Sequence, residues 1–294
     1  MDTSYVDLHV HSTCSDGFFT PEELVALARQ ADLVALALAD HDNVDGIGRA
    51  FVAAQGCGLE IIPAVELSSQ WREYTDLHLL GYGFDYRDGP LVTELRRFQQ
   101  FRSTRNRQII EKVNDKLCRE GRTALDPDAV RALAGGTIGR PHIARALFQA
   151  GYVDNHDQAF ERYLVPCNVA KYYFPADQAI PLIHAAGGIA VLAHPPYVTR
   201  DRRRLEALVV ELVALGLDGI EVYNNGSGLE DTDWLMRLAA RHELIITGGS
   251  DFHGVSGTAI EIGTGLRGFR IPYACVEQIK AAQLGRGQQI NWHS

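Results

Sequence analysis

Histidine and acidic side chains recur where short apolar runs of this chain end. Because side chains alternate along a strand, His9 and His11 of the first run face the same side and can reach one ion. Burying so many ionisable groups together would be costly without a metal, so the pattern predicts a metal centre. Six separate runs supply such groups, at His9 and His11, His41, Glu66, His78, His194, and Asp251 with His253.

Strand-like and helical stretches alternate along most of the chain. The strand-like runs are 5–9, 33–39, 59–65, 76–82, 188–193, 219–223, 244–247 and 258–264, the last preceding a helix near 273–285. Such alternation predicts an α/β fold with a parallel sheet. The first run is not followed by a glycine-rich fingerprint, which disfavours a dinucleotide-binding sheet. We therefore expect a (β/α)-type barrel, whose active site lies at the C-terminal strand ends.

The alternation stops after Pro90, where helical stretches are predicted at 91–119, 126–134 and 140–150. This break predicts a barrel formed by 1–97 and 173–294, with a helical insertion domain at 98–172. The segment 96–145 holds twelve Lys/Arg and five Asp/Glu, a net charge of +7, whereas the rest of the chain is −16. The insertion is therefore either a clamp for an anionic substrate or a solvated, arginine-rich helical face.

The remaining composition is that of an ordinary globular enzyme, with 46% hydrophobic residues and a net charge of −9. No apolar run reaches the roughly 18 residues needed to cross a bilayer, and the N-terminus lacks the pattern of a signal peptide. The five cysteines include no CxxC pair, which favours reduced thiols and a cytoplasmic location. We expect no membrane association, and no stable protein partner is implied.

The candidate ligands are too numerous for one tetrahedral ion, so two or three divalent ions are expected. Imidazole with carboxylate suits Mn²⁺, the leading candidate, and also Fe²⁺ or Zn²⁺. Taken singly, some positions also fit ordinary structural roles: a histidine within a strand can be a core residue, Asp40 or Asp42 can cap a helix, and Asp16-Gly17 can form a turn. The nine candidate metal ligands are His9, His11, Asp16, His41, Glu66, His78, His194, Asp251 and His253.

These residues resemble the motifs of the polymerase and histidinol phosphatase (PHP) family. The resemblance implies a distorted seven-stranded TIM-like barrel with a two- or three-metal site that hydrolyses phosphoesters. The segment Gly139–Leu147 resembles that of stand-alone PHP enzymes acting on nucleoside 3′,5′-bisphosphates and on short RNA from its 5′ end. The matching motifs are His9-Val-His11, Ser15-Asp16-Gly17, Asp40-His41-Asp42, Glu66, His78, Ala193-His194-Pro195 and Ser250-Asp251-Phe252-His253.

The resemblance also implies how the ligands divide among the ions. One ion would take His9, His11, Glu66 and Asp251; a second Glu66, His78 and His194; a third Asp16, His41 and His253. If two ions bind, the last trio could contact the phosphate or protonate the leaving oxygen. The candidate catalytic residues are accordingly Asp16, His41, His194 and His253.

Further candidates would bind the substrate beside Asp16 and His41. Arginine suits bidentate phosphate contacts, backbone N–H groups of a glycine-rich loop can also hold phosphate, and a residue ending the sixth strand would face the same mouth. The competing structural roles are an exposed helix face, helix N-terminal packing, a plain loop and a tight turn. These candidates are Arg102, Arg105, Gly135, Gly136, Thr137, Arg140, His142 and Asn224.

The expected function is removal of the 3′-phosphate from nucleoside 3′,5′-bisphosphates to give a nucleoside 5′-monophosphate, together with degradation of short RNA from the 5′ end. A phosphatase of the histidinol-phosphate type is the nearest alternative, although a segment of charge +7 exceeds what a small monophosphate needs. A metal-stabilised nucleic-acid-binding module without activity is the non-enzymatic alternative.

Overall fold

The computed structural model of this chain describes residues 4–134, 138–255, 257–290 and 292. Within them one curved sheet forms a nearly closed barrel with helices packed outside, as expected. The strands are β1 Tyr5–Val10, β2 Leu33–Leu38, β3 Glu60–Trp71, β4 Tyr74–Tyr82, β5 Phe174–Pro175, β6 Ile189–Leu192, β7 Gly219–Tyr223, β8 Ile245–Gly248 and β9 Ile271–Pro272.

The sheet runs in the order β8-β7-β6-β4-β3-β2-β1-β9, with β5 pairing β3. Its pairs are parallel except β3/β4, β4/β6 and β1/β9, so the expectation of a parallel sheet is wrong at β4 and at β9. The reason at β4 is the connection: only Arg72 and Glu73 separate β3 from β4, and two residues can join only an antiparallel hairpin. Arg72 adopts the left-handed conformation that such a tight turn uses, with φ of 51°.

The barrel closes at its mouth, just beyond β8. Val10 pairs with Phe252 in parallel, and the His11 N–H donates to the Phe252 carbonyl at 2.9 Å. Gly249 makes this approach possible, because a Cβ there would lie 2.0 Å from the Cβ of His9. The chain after β8 therefore reaches β1 only with a glycine at this position.

The predicted strand at 258–264 is wrong. The segment turns back on itself, with a single bridge between Glu261 and Gly265, and the antiparallel edge strand lies later, at β9. Gly263 and Gly265 have φ values of 79° and 59°, which a strand does not accommodate. The Gly263 N–H instead donates to Asp7 at 2.7 Å, which fixes the turn against β1.

The four predicted helical stretches are helical, each to within two residues of its predicted ends. At the first helix, which begins at Pro21, Thr20 accepts from the Glu23 N–H and Glu23 accepts from the Thr20 N–H, and the two bonds form a capping box. The helices are α1 Pro21–Gln30, α2 Ile47–Ala54, α3 Gly89–Arg119, α4 Pro127–Ala134, α5 Arg140–Gln149, α6 His156–Ala159 with a π-helical turn Phe160–Leu164, α7 Ala176–Ala185, α8 Pro195–Val198, α9 Arg202–Ala214, α10 Leu229–Arg241 and α11 Ala274–Gly285.

One long helix, α3, belongs to two hydrophobic cores. Its first turns place Leu91 and Leu95 in the core between the sheet and the outer helices. Its later turns place Ile109 and Val113 in a separate core built with α4, α5 and the π-helical turn. The proposed boundary at residue 98 thus falls inside a continuous helix, and the division into barrel and insertion domain remains a prediction.

Among the described helices, none combines the length and apolarity that a bilayer-spanning helix requires. All five cysteines are free thiols, and Cys167 and Cys275 are buried. Within the described residues, no cysteine belongs to the histidine and carboxylate groups at the barrel mouth.

Candidate metal centre

Glu66 lies at the centre of the barrel mouth and is almost completely buried. Its Oε2 lies 3.4 Å from His9 Nε2, 3.3 Å from His11 Nε2 and 3.0 Å from His41 Nδ1. β1 supplies His9 and places His11 just after its last residue, and His41 follows β2. One carboxylate oxygen is therefore surrounded by three imidazoles from two strand ends.

The other oxygen of Glu66 faces the opposite side of the mouth. Oε1 lies 2.9 Å from both His78 Nδ1 and His194 Nε2, and these two imidazole nitrogens are 3.3 Å apart. His194 follows β6, but His78 lies inside β4, opposite Ser68 of β3. His78 thus enters the site from the middle of an antiparallel strand, and the expectation that every strand delivers its ligand at its C-terminal end is wrong here.

A third part of the site lies toward the chain after β8. Asp251 Oδ1 is 3.1 Å from His11 Nε2, and His253 Nε2 is 3.4 Å from Asp16 Oδ1. The rings of His11 and His253 stack with centroids 4.1 Å apart. Three ligand-like groups result, and they share members: His9, His11, Glu66 and Asp251; His41, Glu66 and His78; and His11, Asp16, His41 and His253.

The donor atoms of this cluster fit a metal, because many are buried and have no hydrogen-bond partner among the described residues. Buried polar atoms are paired in the great majority of proteins, so a concentration of unpaired nitrogens at one point indicates a ligand for them. Imidazole nitrogen and carboxylate oxygen are the donors that Mn²⁺, Fe²⁺ and Zn²⁺ accept. The unpaired atoms at the mouth are His9 Nε2, His11 Nδ1 and Nε2, Asp16 Oδ1, His41 Nδ1, His78 Nε2 and His194 Nδ1.

The backbone is strained at the same place. Asp42, Asp76, His194 and Asp251 have φ values of 51°, 68°, 25° and 50°, in the left-handed region that such residues seldom adopt. Each lies in or beside the cluster. Strain of this kind persists where the surrounding structure fixes it, commonly at functional sites.

The electrostatics of the cluster favour positive charge. Burial alone would lower the pKa of His78 and His253, but Glu66 raises the pKa of His78 to about 9, and Asp16 with Asp251 raises that of His253 to about 10. His41 differs, because burial outweighs its carboxylate neighbours and lowers its pKa to about 4. The carboxylates thus stabilise positive charge at the mouth, and a bound metal ion would supply such charge.

A second layer of carboxylates orients the histidines, and Glu221 is the member that the sequence did not reveal. His9 Nδ1 donates to Glu221 Oε1 at 2.9 Å, and the His194 backbone N–H donates to Oε2 at 2.7 Å. The bond fixes the His9 tautomer that leaves Nε2 free for the centre. The available signal was a glutamate inside the apolar strand Gly219–Tyr223.

Asp40 and Asp42 hold neighbouring loops and cap no helix. Asp40 accepts from the backbone N–H of Ser12 at 2.7 Å and from the Ser15 hydroxyl, which fixes the loop that carries Asp16. Asp42 accepts from the Ser68 N–H at 2.9 Å. The cap of α2 is instead Gly46, which makes no side-chain cap bond.

Arg102 is the expected substrate residue that the structure brings to the cluster. Its guanidinium lies 3.5 Å from Asp16 Oδ2 and 3.3 Å from Asp42 Oδ2. Arg105, one turn further along α3, instead donates to the Val169 carbonyl at 2.9 Å and to Asn168 at 2.8 Å. Of these two arginines, Arg102 therefore is the one that contacts a predicted ligand.

Arg140 and His142 lie in the first turn of α5. The Arg140 guanidinium stacks 5.5 Å above the Phe160 ring. His142 is fully buried, and its Nδ1 accepts from the Gly139 N–H at 2.9 Å, so it packs at the helix N-terminus. The other nitrogen, Nε2, has no partner among the described residues. Gly139 abuts the cluster, since a Cβ there would lie 2.9 Å from Asp16 Cβ.

The last candidates lie elsewhere. Asn224 is buried, and its amide donates to the Glu221 and Val222 carbonyls at 2.9 and 3.3 Å, an arrangement that favours the structural turn. Its Oδ1 accepts from Ser227 at 3.2 Å, within the same turn. Gly135, Gly136 and Thr137 lie outside the described residues.

Known proteins are similar to this chain in sequence and in fold. A 5′-3′ exoribonuclease from Haemophilus influenzae is 39% identical over 90% of this chain and 95% of its own. A 3′,5′-nucleoside bisphosphate phosphatase from Chromobacterium violaceum is 34% identical over 84% of this chain and 87% of its own. A crystal structure assigned to a metal-dependent phosphoesterase from Bifidobacterium adolescentis has a TM-score of 0.82 and 30% identity, covering 95% of this chain and 96% of that one.

The fold and the histidine–carboxylate cluster are those of a metal-dependent phosphoesterase. The PHP domain family matches residues 7–174, more than half of the chain. This chain belongs to the PHP domain family.

Proposed function

We propose that this protein removes the 3′-phosphate from nucleoside 3′,5′-bisphosphates and degrades short RNA from its 5′ end. The observation that carries the proposal is the cluster centred on Glu66, whose unpaired imidazole nitrogens lie beside the arginine of a basic helix. The names of the relatives from Haemophilus influenzae and Chromobacterium violaceum support the two activities.

The ligand sets proposed here are those that the family resemblance implies. They differ from the three overlapping groups in two respects: His194 replaces His41 beside Glu66 and His78, and His11 is left out of the third set. We assign His9, His11, Glu66 and Asp251 to one ion, Glu66, His78 and His194 to a second, and Asp16, His41 and His253 to a third. Mn²⁺ is the leading candidate, with Fe²⁺ and Zn²⁺ as the alternatives. When bound, such ions lower the pKa of an attacking water and neutralise the phosphoryl oxygens.

The side chains of the chain itself position these components. Glu221 holds His9 in the tautomer that presents Nε2, and Asp40 holds the loop bearing Asp16. Arg102 lies between Asp16 and Asp42, so its guanidinium could stabilise the charge of a phosphate bound at the cluster. If two ions bind, Asp16, His41 and His253 are the groups able to contact the phosphate or to protonate the leaving oxygen.

The second phosphate would lie against the insertion. His142, buried in the first turn of α5, lies within electrostatic reach of Asp16, and Arg140 of the same turn lies within reach of Arg105. The N-terminus of a helix also favours anions, so these residues are the candidate clamp. Arg140→Ala should therefore raise the KM for a bisphosphate far more than the KM for a simple aryl phosphate. Equal increases would remove Arg140 from the clamp.

Steady-state kinetics on a substrate panel test the activity. After metal loading and elemental analysis, nucleoside 3′,5′-bisphosphates should be hydrolysed with a higher kcat/KM than histidinol phosphate. Faster turnover of histidinol phosphate would show that the protein is a small-molecule phosphatase of the histidinol-phosphate type and not a nucleotide phosphatase. No release of phosphate from any substrate by metal-loaded protein would favour the non-catalytic nucleic-acid-binding module.

A further inference from the structure

A groove of about 610 Å³ runs along one side of α3, outside the metal centre. We call it the α3 groove. Its walls are formed mainly by α3 and α4. Eight of its twelve lining side chains are cationic or neutral polar, and the other four are Ile110, Glu111, Pro127 and Ile138. The residues used below are Arg96, Gln99, Ser103, Arg107 and Asn114 of α3 and Arg131 of α4.

The five α3 residues of this set lie on a single face of the helix. They recur at steps of three, four and seven residues, which places them on one side of a helix. From Arg96 to Asn114 the face extends about 27 Å at 1.5 Å per residue. The groove is therefore elongated, and a single mononucleotide would fill only part of it.

One end of the groove meets the barrel mouth. The Gln99 amide donates to the Asp42 carbonyl at 3.5 Å, and Arg102, the next turn of α3, contacts Asp42 and Asp16. At the other end, Asn114 is held by two bonds to the Leu125 backbone, at 2.8 and 2.9 Å. The groove thus leads away from the metal centre along the insertion.

The charge of the groove fits a polyanion. Arg96 has no ion-pair partner in the part of the chain that the structure describes, while Arg107 and Arg131 form only exposed pairs, with Glu111 at 3.9 Å and Asp128 at 3.0 Å. Such exposed pairs contribute little, so the guanidinium groups can exchange them for phosphates. Outside 96–145 the chain carries −16, so an oligonucleotide is repelled elsewhere and attracted here.

We propose that the α3 groove binds the sugar–phosphate backbone of a single-stranded oligonucleotide whose 5′ end lies at the metal centre. Arginines with amide and hydroxyl groups contact phosphate and sugar without reading bases. This inference rests on the proposed function and extends it, since it assigns the α3 groove as the surface that binds a polymeric substrate.

Fluorescence anisotropy tests the groove with the protein as purified. The probe is a 5′-phosphorylated pentaribonucleotide with a phosphorothioate first linkage, which slows hydrolysis, and a fluorophore at its 3′ end. The variant is Arg96→Gln/Arg107→Gln/Arg131→Gln. Binding should weaken by roughly tenfold at low salt, and the slope of log K against log salt should fall by about 2, since each phosphate contact on a single strand contributes about 0.7.

The matched control is Arg119→Gln, which removes an exposed arginine of the same helix that lies outside the groove and bonds its own helix backbone. It should leave the slope unchanged. If the triple variant shows no thermal unfolding transition, Arg96→Gln alone replaces it in the experiment. This side chain has no ion-pair partner among the described residues, and its loss should lower the slope by about 0.7.

Two results would overturn the inference. One is a triple variant with the slope and affinity of Arg119→Gln, in which case the face is only solvated. The other is an equal loss of affinity for a mononucleoside 3′,5′-bisphosphate. That result would show that the three arginines attract any nucleotide at long range and do not contact an oligonucleotide backbone. Hydrolysis of the bisphosphate by the same wild-type preparation is measured in parallel, so failure of the proposed function is recognised separately.

Discussion

The two ends of the barrel differ in how completely their ionisable side chains are hydrogen-bonded. At the mouth, imidazole nitrogens lie unpaired around Glu66, on a backbone strained at several residues. At the other end, Asp218 just before β7 has both oxygens paired: Oδ2 accepts from His184 and from the Ala190 N–H, each at 2.8 Å, and Oδ1 accepts from Arg286 at 3.0 Å. The paired network serves stability, whereas the unpaired one is kept for a ligand.

Glu66→Gln tests the mouth with the largest expected effect. The amide keeps the shape of the carboxylate but removes the charge shared by two of the three ligand groups. We expect kcat to fall by about 10³-fold or more, as when a central electrostatic contact is lost, and the metal content per chain to fall as well. Elemental analysis and steady-state kinetics measure both. A variant retaining full metal content and kcat would contradict the central role of Glu66.

Glu221→Gln should have a smaller effect at the same end. The amide can present its nitrogen to His9, which would then lose the acceptor that fixes its tautomer. Loss of such an outer partner lowers metal affinity about 10–100-fold. Titration with a metal-buffering chelator measures this. The control is Glu60→Gln, a carboxylate at the opposite end of the barrel that accepts from Tyr273 at 2.7 Å and should leave metal affinity unchanged.

The mouth shows what the sequence could and could not predict. His9, His11 and Asp251 were predictable because strand alternation and strand ends fix where such side chains point. The approach of His78 was not, because it depends on a two-residue hairpin that reverses β4. Glu221 carried a weak signal, since a single acidic residue in a strand does not say which histidine it will meet across the barrel.

The insertion shows the same limit. Its helices follow from periodicity, and its charge follows from counting. That Arg102 reaches Asp16 while Arg105 bonds the Val169 carbonyl depends on how α3 rotates against the segment after the π-helical turn, a packing detail beyond periodicity. Asn224 likewise ends a strand near the mouth, yet its amide bonds its own turn.

At the end of the barrel opposite the mouth, Asp218→Asn should reduce stability and leave catalysis unchanged. The Asp218 side chain is 10% exposed, and His184 and Arg286 would lose their partner. Because Arg286 is partly exposed, we expect a loss of about 2 kcal/mol, below that of a fully buried pair. Denaturant unfolding measures it, and kcat/KM with full metal content should match the wild type. A kcat/KM that falls with unchanged stability would show that the two ends are not separate.

The smallest expected effect is the pH dependence of the difference in free energy of unfolding between the wild type and Asp218→Asn. Burial alone would raise the pKa of Asp218, but the bonds from His184, the Ala190 N–H and Arg286 outweigh it and lower the pKa. A carboxyl with a lowered folded-state pKa stabilises the fold above its unfolded pKa of about 3.9 and loses that contribution as the pH falls through the folded value. The asparagine does not titrate. The wild-type advantage in free energy of unfolding should therefore be larger at pH 5 than at pH 3. If the wild-type advantage in free energy of unfolding is unchanged or grows in acid, packing of the Asp218 side chain, and not its charge, stabilises this end of the barrel.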